Sequence, residues 1–172
     1  MAVTIDREAQ VLAGHDNFAQ VEDNHISAKR DGRVYGQLPA DKAIDTLEQG
    51  MFVKYDYANG AVKFTGDGPW MMVYNEEKLY DERKQMHRDY AMQRSAFYDG
   101  EMYPRVLGIV PGDIWTTNAL AKGSYKVGDK VAPGSDGFLA AGEGDGELVC
   151  QVVKETTMPD GQPAVKLQCI VA

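Results

Sequence analysis

Residues 148–171 read LVCQVVKETTMPDGQPAVKLQCIV, two apolar-rich runs around Pro159-Asp160-Gly161. Leu148 to Thr157 and Ala164 to Val171 carry the β-branched enrichment of strands. Pro159 presets φ for the first turn position, and Gly161 accepts the left-handed one. The stretch is therefore a β-hairpin. Its register stays open, because a two-residue and a three-residue loop put Cys150 and Cys169 in different relations.

Working back from the hairpin, the same grammar repeats. Pro111-Gly112 separates Arg105–Val110 from Asp113–Thr117, and Val127-Gly128-Asp129 precedes the short run Lys130–Ala132. Ser135-Asp136-Gly137 turns into Phe138–Ala141, and Gly142–Gly146 is a loop. Trp70 to Tyr74 is a compact apolar run of the kind that forms a buried strand. Between the runs Met51–Tyr57 and Ala61–Thr65, Asn59-Gly60 predicts a two-residue type I′ hairpin, since both central positions of that turn need positive φ. Asp31-Gly32 gives the same signal inside residues 26–38. Short strands with a turn every 8–12 residues or so predict a mainly β chain, a small β-barrel or sandwich with tight glycine turns.

Three stretches depart from this rhythm. Residues 1–24 offer few large apolar side chains and read as an N-terminal arm, with a short helix over Ile5–Leu12. Pro39–Glu48 places Ala43, Ile44 and Leu47 at helical spacing, which allows one or two helical turns. Residues 75–94, NEEKLYDERKQMHRDYAMQR, form the one long charged segment. It predicts a helical or irregular insertion, at about 75–97, in a β-rich domain spanning 25–172.

A chain of 172 residues with 44% hydrophobic residues suits one ordinary domain. The net charge of −8 disfavours a nucleic-acid partner. The start MAVTIDREAQ lacks the apolar core of a signal peptide, and no run approaches the ~20 apolar residues of a membrane span. The chain therefore reads as soluble and cytosolic when made. Two cysteines build neither a disulfide framework nor a four-sulfur zinc site.

Chemistry is sparse. His15, His25 and His87 fall in no metal-binding spacing, and no nucleophile elbow, P-loop or dinucleotide fingerprint occurs. Gly142–Glu147 alternates glycine with carboxylates, as a calcium site would want, but without EF-hand spacing. The reading is therefore a non-enzyme with no catalytic or metal residues and no cofactor. What remains is an aromatic surplus between residues 70 and 103. Trp and Tyr combine large apolar area with a polar tip. Trp70, Tyr74, Tyr80, Tyr90, Phe97, Tyr98 and Tyr103 are the candidate interface.

The stretches YPRVLGIVPGDIWTTN (103–118) and YKVGDKVAPGSDGFLAAGEGDGELVCQVVKETTMPDGQPAVKLQCIVA (125–172) resemble the small β-barrel decoration, or cement, proteins and accessory head proteins of tailed bacteriophages. Gly128-Asp129 before a short strand, Asp136-Gly137 before an aromatic, and the Pro159-Asp160-Gly161 hairpin carry the resemblance. It implies a virion protein on the outside of a capsid, made in the bacterial cytoplasm. The major capsid protein would be its partner, and a homo-oligomer such as a trimer would clamp neighbouring subunits. Another virion component, such as a head fibre base or tail protein, and a small β-barrel enzyme or ligand-binding module are the alternatives.

Overall fold

The computed structural model describes residues 2–12, 18–75, 91–94 and 100–172. The chain is mainly β, built from antiparallel sheets that do not close into a barrel, an arrangement consistent with a sandwich. The hairpin around Pro159-Asp160-Gly161 is β14 (Val149–Thr157) with β15 (Pro163–Val171). It is the centre of a six-stranded sheet that also holds β2 (Val21–His25), β10 (Ile114–Thr117), β12 (Lys130–Pro133) and β13 (Leu139–Ala141), in the order β13-β12-β14-β15-β10-β2.

A five-stranded sheet runs β3-β9-β7-β5-β6. Its members are β3 (Val34–Tyr35), β5 (Phe52–Asp56), β6 (Ala61–Lys63), β7 (Met71–Val73) and β9 (Val106–Leu107). Alternation along these strands sends side chains to opposite faces. Phe52, Met72 and Leu107 join one core with Trp115, Val131, Val152, Val165 and Leu167 of the six-stranded sheet. Val53, Met71, Val73 and Val106 join a second core with Ala40, Ile44, Leu47 and Met102. The five-stranded sheet is thus a middle layer, buried on both faces, which explains why its strands read as apolar runs. Over the second core lies a small ribbon of β4 (Thr46–Glu48) and β8 (Ala91–Gln93). Residues 76–90 and 95–99 of the charged insertion lie outside the described residues, so its helical or irregular character does too.

The stretch that the sequence marks as an arm is tied to the body at two places. β1 (Val3–Ile5) pairs with β11 (Gly123–Tyr125), and Ile5 is fully buried in the first core. The helix is shorter than Ile5–Leu12 because Ile5 belongs to that strand; α1 spans Arg7–Leu12. β2 pairs with β10 and forms the edge of the larger sheet. Gly50 shows how closely these parts meet. Its φ is +81°, and a Cβ there would lie 2.6 Å from Val21 Cγ2 and 2.8 Å from Ala119 Cβ, so only glycine fits.

Three local expectations are corrected. Asp31-Gly32 is not a hairpin turn: Gly32, at φ +75°, ends the helical turn α2 (Ala28–Asp31) by donating to the Ala28 carbonyl. Pro39–Glu48 holds no helix; Asp41 caps Ala43 in a turn, and Thr46–Glu48 go into β4. The helical spacing there reflects burial of Ile44 and Leu47 against the second core. The Asn59-Gly60 connection is four residues long, since Asp56 pairs with Ala61. Only Gly60 takes positive φ, and the Asp56 carboxylate accepts from the Asn59 backbone and side-chain amides at 3.1 and 2.7 Å. That Asx-type bonding closes the loop without a second left-handed residue.

Candidate interaction surface

Of the seven candidate aromatics, Tyr80, Tyr90, Phe97 and Tyr98 lie outside the described residues. The other three are not brought into one patch. Trp70 is buried, and its indole Nε1 donates to Asp145 Oδ2 at 3.0 Å. Lys54 Nζ stands 4.9 Å from the Trp70 ring. Tyr74, at the far end of β7, is partly buried against the first core with Lys29 Nζ 4.3 Å from its ring. Tyr103 is 49% exposed and donates to Glu101 at 2.6 Å, a bond to a carboxylate that raises the phenol's pKa. Tyr103 alone of the three presents a free face.

Among the described residues a larger exposed aromatic group lies elsewhere. Tyr35 of β3, Tyr55 of β5 and Tyr57 in the following loop form a row. Ring centroids are 6.5 Å apart for Tyr35–Tyr55 and 6.0 Å for Tyr55–Tyr57, both edge to face. That geometry suits the ring quadrupoles. Tyr55 is the buried hinge of the row, and burial raises its phenol pKa. Tyr35 is 38% and Tyr57 63% exposed. Tyr103 borders this region, because residues 102–104 run beside 36–40, with Ala40 N donating to the Met102 carbonyl at 2.7 Å. The sequence signal was the spacing of Tyr55 and Tyr57, two apart on a strand and its extension. Tyr35 has no such signal, since only tertiary folding brings its ring to that of Tyr55 from a strand that β9 and β7 separate from β5 in the sheet.

The acidic loop Gly142–Glu147 has an internal use. Lys54, a lysine in a strand buried on both faces, pairs with Glu147 and lies 3.8 Å from Asp145. Glu143 pairs with Lys130 at 2.6 Å. Asp145 titrates below the usual carboxylate range; burial opposes this, but the Trp70 indole, the Glu147 amide and Lys54 together outweigh it. The loop's oxygens therefore answer protein cations and an indole. Among the described residues no group of three or more His, Cys, Asp or Glu is placed to hold a metal ion. His25 is exposed on β2, while His15 and His87 lie outside the described residues.

Two polar knots hold the layers in place. Asp113 is buried where the chain crosses from the middle sheet to the larger one. Its Oδ1 accepts from the Ser27 amide and hydroxyl at 2.9 and 2.7 Å, and its Oδ2 accepts from Val110 N at 3.0 Å. The second knot joins the hairpin tip to the N-terminal segment. Asp160 Oδ2 accepts from Gln20 Nε2 at 2.8 Å and Gln162 Nε2 at 2.7 Å; Asn118 Nδ2 donates to Gln162 Oε1 at 3.0 Å. Both read as rigidifying networks with their partners supplied by the protein.

Comparison with family models, with curated proteins and with solved structures gives no match. No helix among the described residues is long and apolar enough to cross a membrane.

Proposed function

We propose that this protein is a structural virion protein that docks on the outside of a bacteriophage capsid and clamps neighbouring capsid subunits. The observation that carries the docking half is the Tyr35–Tyr55–Tyr57 row. Its rings are large anchors with few rotatable bonds, fixed on sheet and loop positions, so little entropy is lost when a partner covers them. The carboxylates of the acidic loop are meanwhile engaged with Lys54, Lys130 and Trp70. The capsid as partner is supported by the resemblance of residues 103–172 to decoration proteins. Many weak contacts repeated over a shell give avidity without one tight site.

Mixing the purified protein with expanded, empty capsids tests this. Saturable binding is expected. The double substitution Y35S/Y57S should weaken it about tenfold or more, in line with loss of aromatic anchors. Absence of binding at micromolar concentration, or binding indifferent to both tyrosines, overturns the proposal.

A further inference from the structure

On the solvent face of the six-stranded sheet, two lysines stand directly opposite each other. Lys154 of β14 and Lys166 of β15 are Cα partners in the register. Like charges so placed repel and destabilise a sheet. The opposition is made by a bulge. Val152 pairs with Leu167, yet the next pair is Lys154 with Lys166, leaving Val153 as the extra residue. Lys166 lies between Val165 and Leu167, both fully buried, so it points outward. Without the bulge Val153 would face it, and Lys154 would turn toward the core. Bulges re-aim side chains in this way.

The row continues across the sheet: Lys166 pairs with Thr116 of β10, and Thr116 with Glu22 of β2. These residues, with Asn24 and Thr156, line an open groove of about 330 Å³. Thr116 donates to Asn24 Oδ1 at 2.7 Å. Glu22 closes the end away from the lysines, two strands from Lys166, and has an interaction of its own. Neither lysine has an ion-pair partner among the described residues. In a chain of net charge −8, a polar groove with two unanswered cations at one end is complementary to a negative group.

We propose that this groove takes a carboxylate-bearing segment of the partner protein, with the Lys154 and Lys166 ammonium groups donating to one acidic side chain. The inference rests on the docking reading for the partner's nature, but it is tested on the isolated protein. Hexaglutamate is titrated into wild type and into K154Q/K166Q at low salt, followed by calorimetry, with inorganic phosphate as a second probe and K126Q as a control. Wild type and K126Q should bind hexaglutamate with an affinity that falls as salt rises. The double variant should bind it about tenfold more weakly or not at all. Its melting temperature at low salt should equal or exceed that of wild type, because repulsion is relieved. No hexaglutamate binding by wild type, equal binding by the double variant, or phosphate binding as tight as hexaglutamate overturns the inference. Absence of capsid binding by wild type would instead overturn the docking reading.

Discussion

Cys150 and Cys169 face each other across the central hairpin, both buried and both free thiols. Cys169 spends its backbone on β10's side: its amide donates to the Asp113 carbonyl, and its carbonyl accepts from Gly112 N, each at 2.9 Å. Toward β14 the cysteines therefore form a non-hydrogen-bonded pair, the kind with Cα atoms about 4.5 Å apart. A disulfide spans about 4.4–6.8 Å. The adjoining Cys169 thiol together with burial holds the Cys150 pKa up. Oxidised glutathione should thus convert the pair slowly to a disulfide, releasing two molecules of reduced glutathione, and faster as pH rises. Mass spectrometry should show loss of two hydrogens, and thiol titration should fall from two to none; C150S should block both. The register that decides this was hidden in the sequence, because the loop length sets it, and the loop that forms, Met158–Gln162, has five residues rather than two or three. Asp56 gives a second prediction at this scale. Its hydrogen bonds to Lys63 and Asn59 lower its pKa to about 2, below the ~3.9 of an unfolded chain. The group's stabilising contribution is present above pH ~4 and is lost as pH falls through its folded value. D56N should flatten the melting temperature against pH between about 4 and 2, relative to wild type.

At the scale of elements, the hairpin tip behaves as a latch. Met158 N donates to the Gln162 carbonyl at 2.8 Å, and Asp160 gathers the side-chain amides of Gln20 and Gln162. Removing its carboxylate strands those donors. D160A should lower unfolding free energy by about 1–3 kcal/mol in a urea titration, whereas D160N, which keeps an acceptor oxygen, should cost less. The strands were legible where apolar runs met turn residues: the β14–β15 hairpin and β7 stand where the sequence places them. Turn dipeptides were less informative, because a glycine at positive φ serves several purposes. Gly32 ends a helical turn, Gly60 closes a four-residue loop, and Gly112 sits in a crossover between sheets, at φ +75°, +63° and +97°. The acidic loop was legible only as chemistry without an address. Its meaning depends on Lys54, 91 positions before Asp145 and 93 before Glu147, which no local pattern links to it.

For the whole molecule, the N-terminal stretch has a different standing from that of a detachable arm. Ile5 fills the first core, and burying such a side chain is worth about 1.5–3 kcal/mol. β2 covers the edge of β10, and Gln20 completes the hairpin latch. Deleting residues 1–24 should therefore lower the melting temperature markedly or leave the chain aggregated. An unchanged melt, read by circular dichroism, would contradict this packing. Of the candidate aromatics between residues 70 and 103 that the structure describes, Trp70 is a buried rivet beside β7 and Tyr103 is exposed, while the exposed Tyr35 and Tyr57 come from segments that the sequence spaces apart. The order of strands also has a consequence for synthesis. β15 lies between β10 and β14, so every other strand of the larger sheet is made before the one that joins its halves. Thr117 bonds Gln20, 97 positions earlier. At ~5–20 residues per second, Gln20 waits roughly 5–20 s for that partner while the ribosome works. A nascent chain paused before residue 163 holds Trp115 and the edges of β10 and β14 uncovered, so chaperone engagement should concentrate on such chains and cease once the final strand is threaded between them.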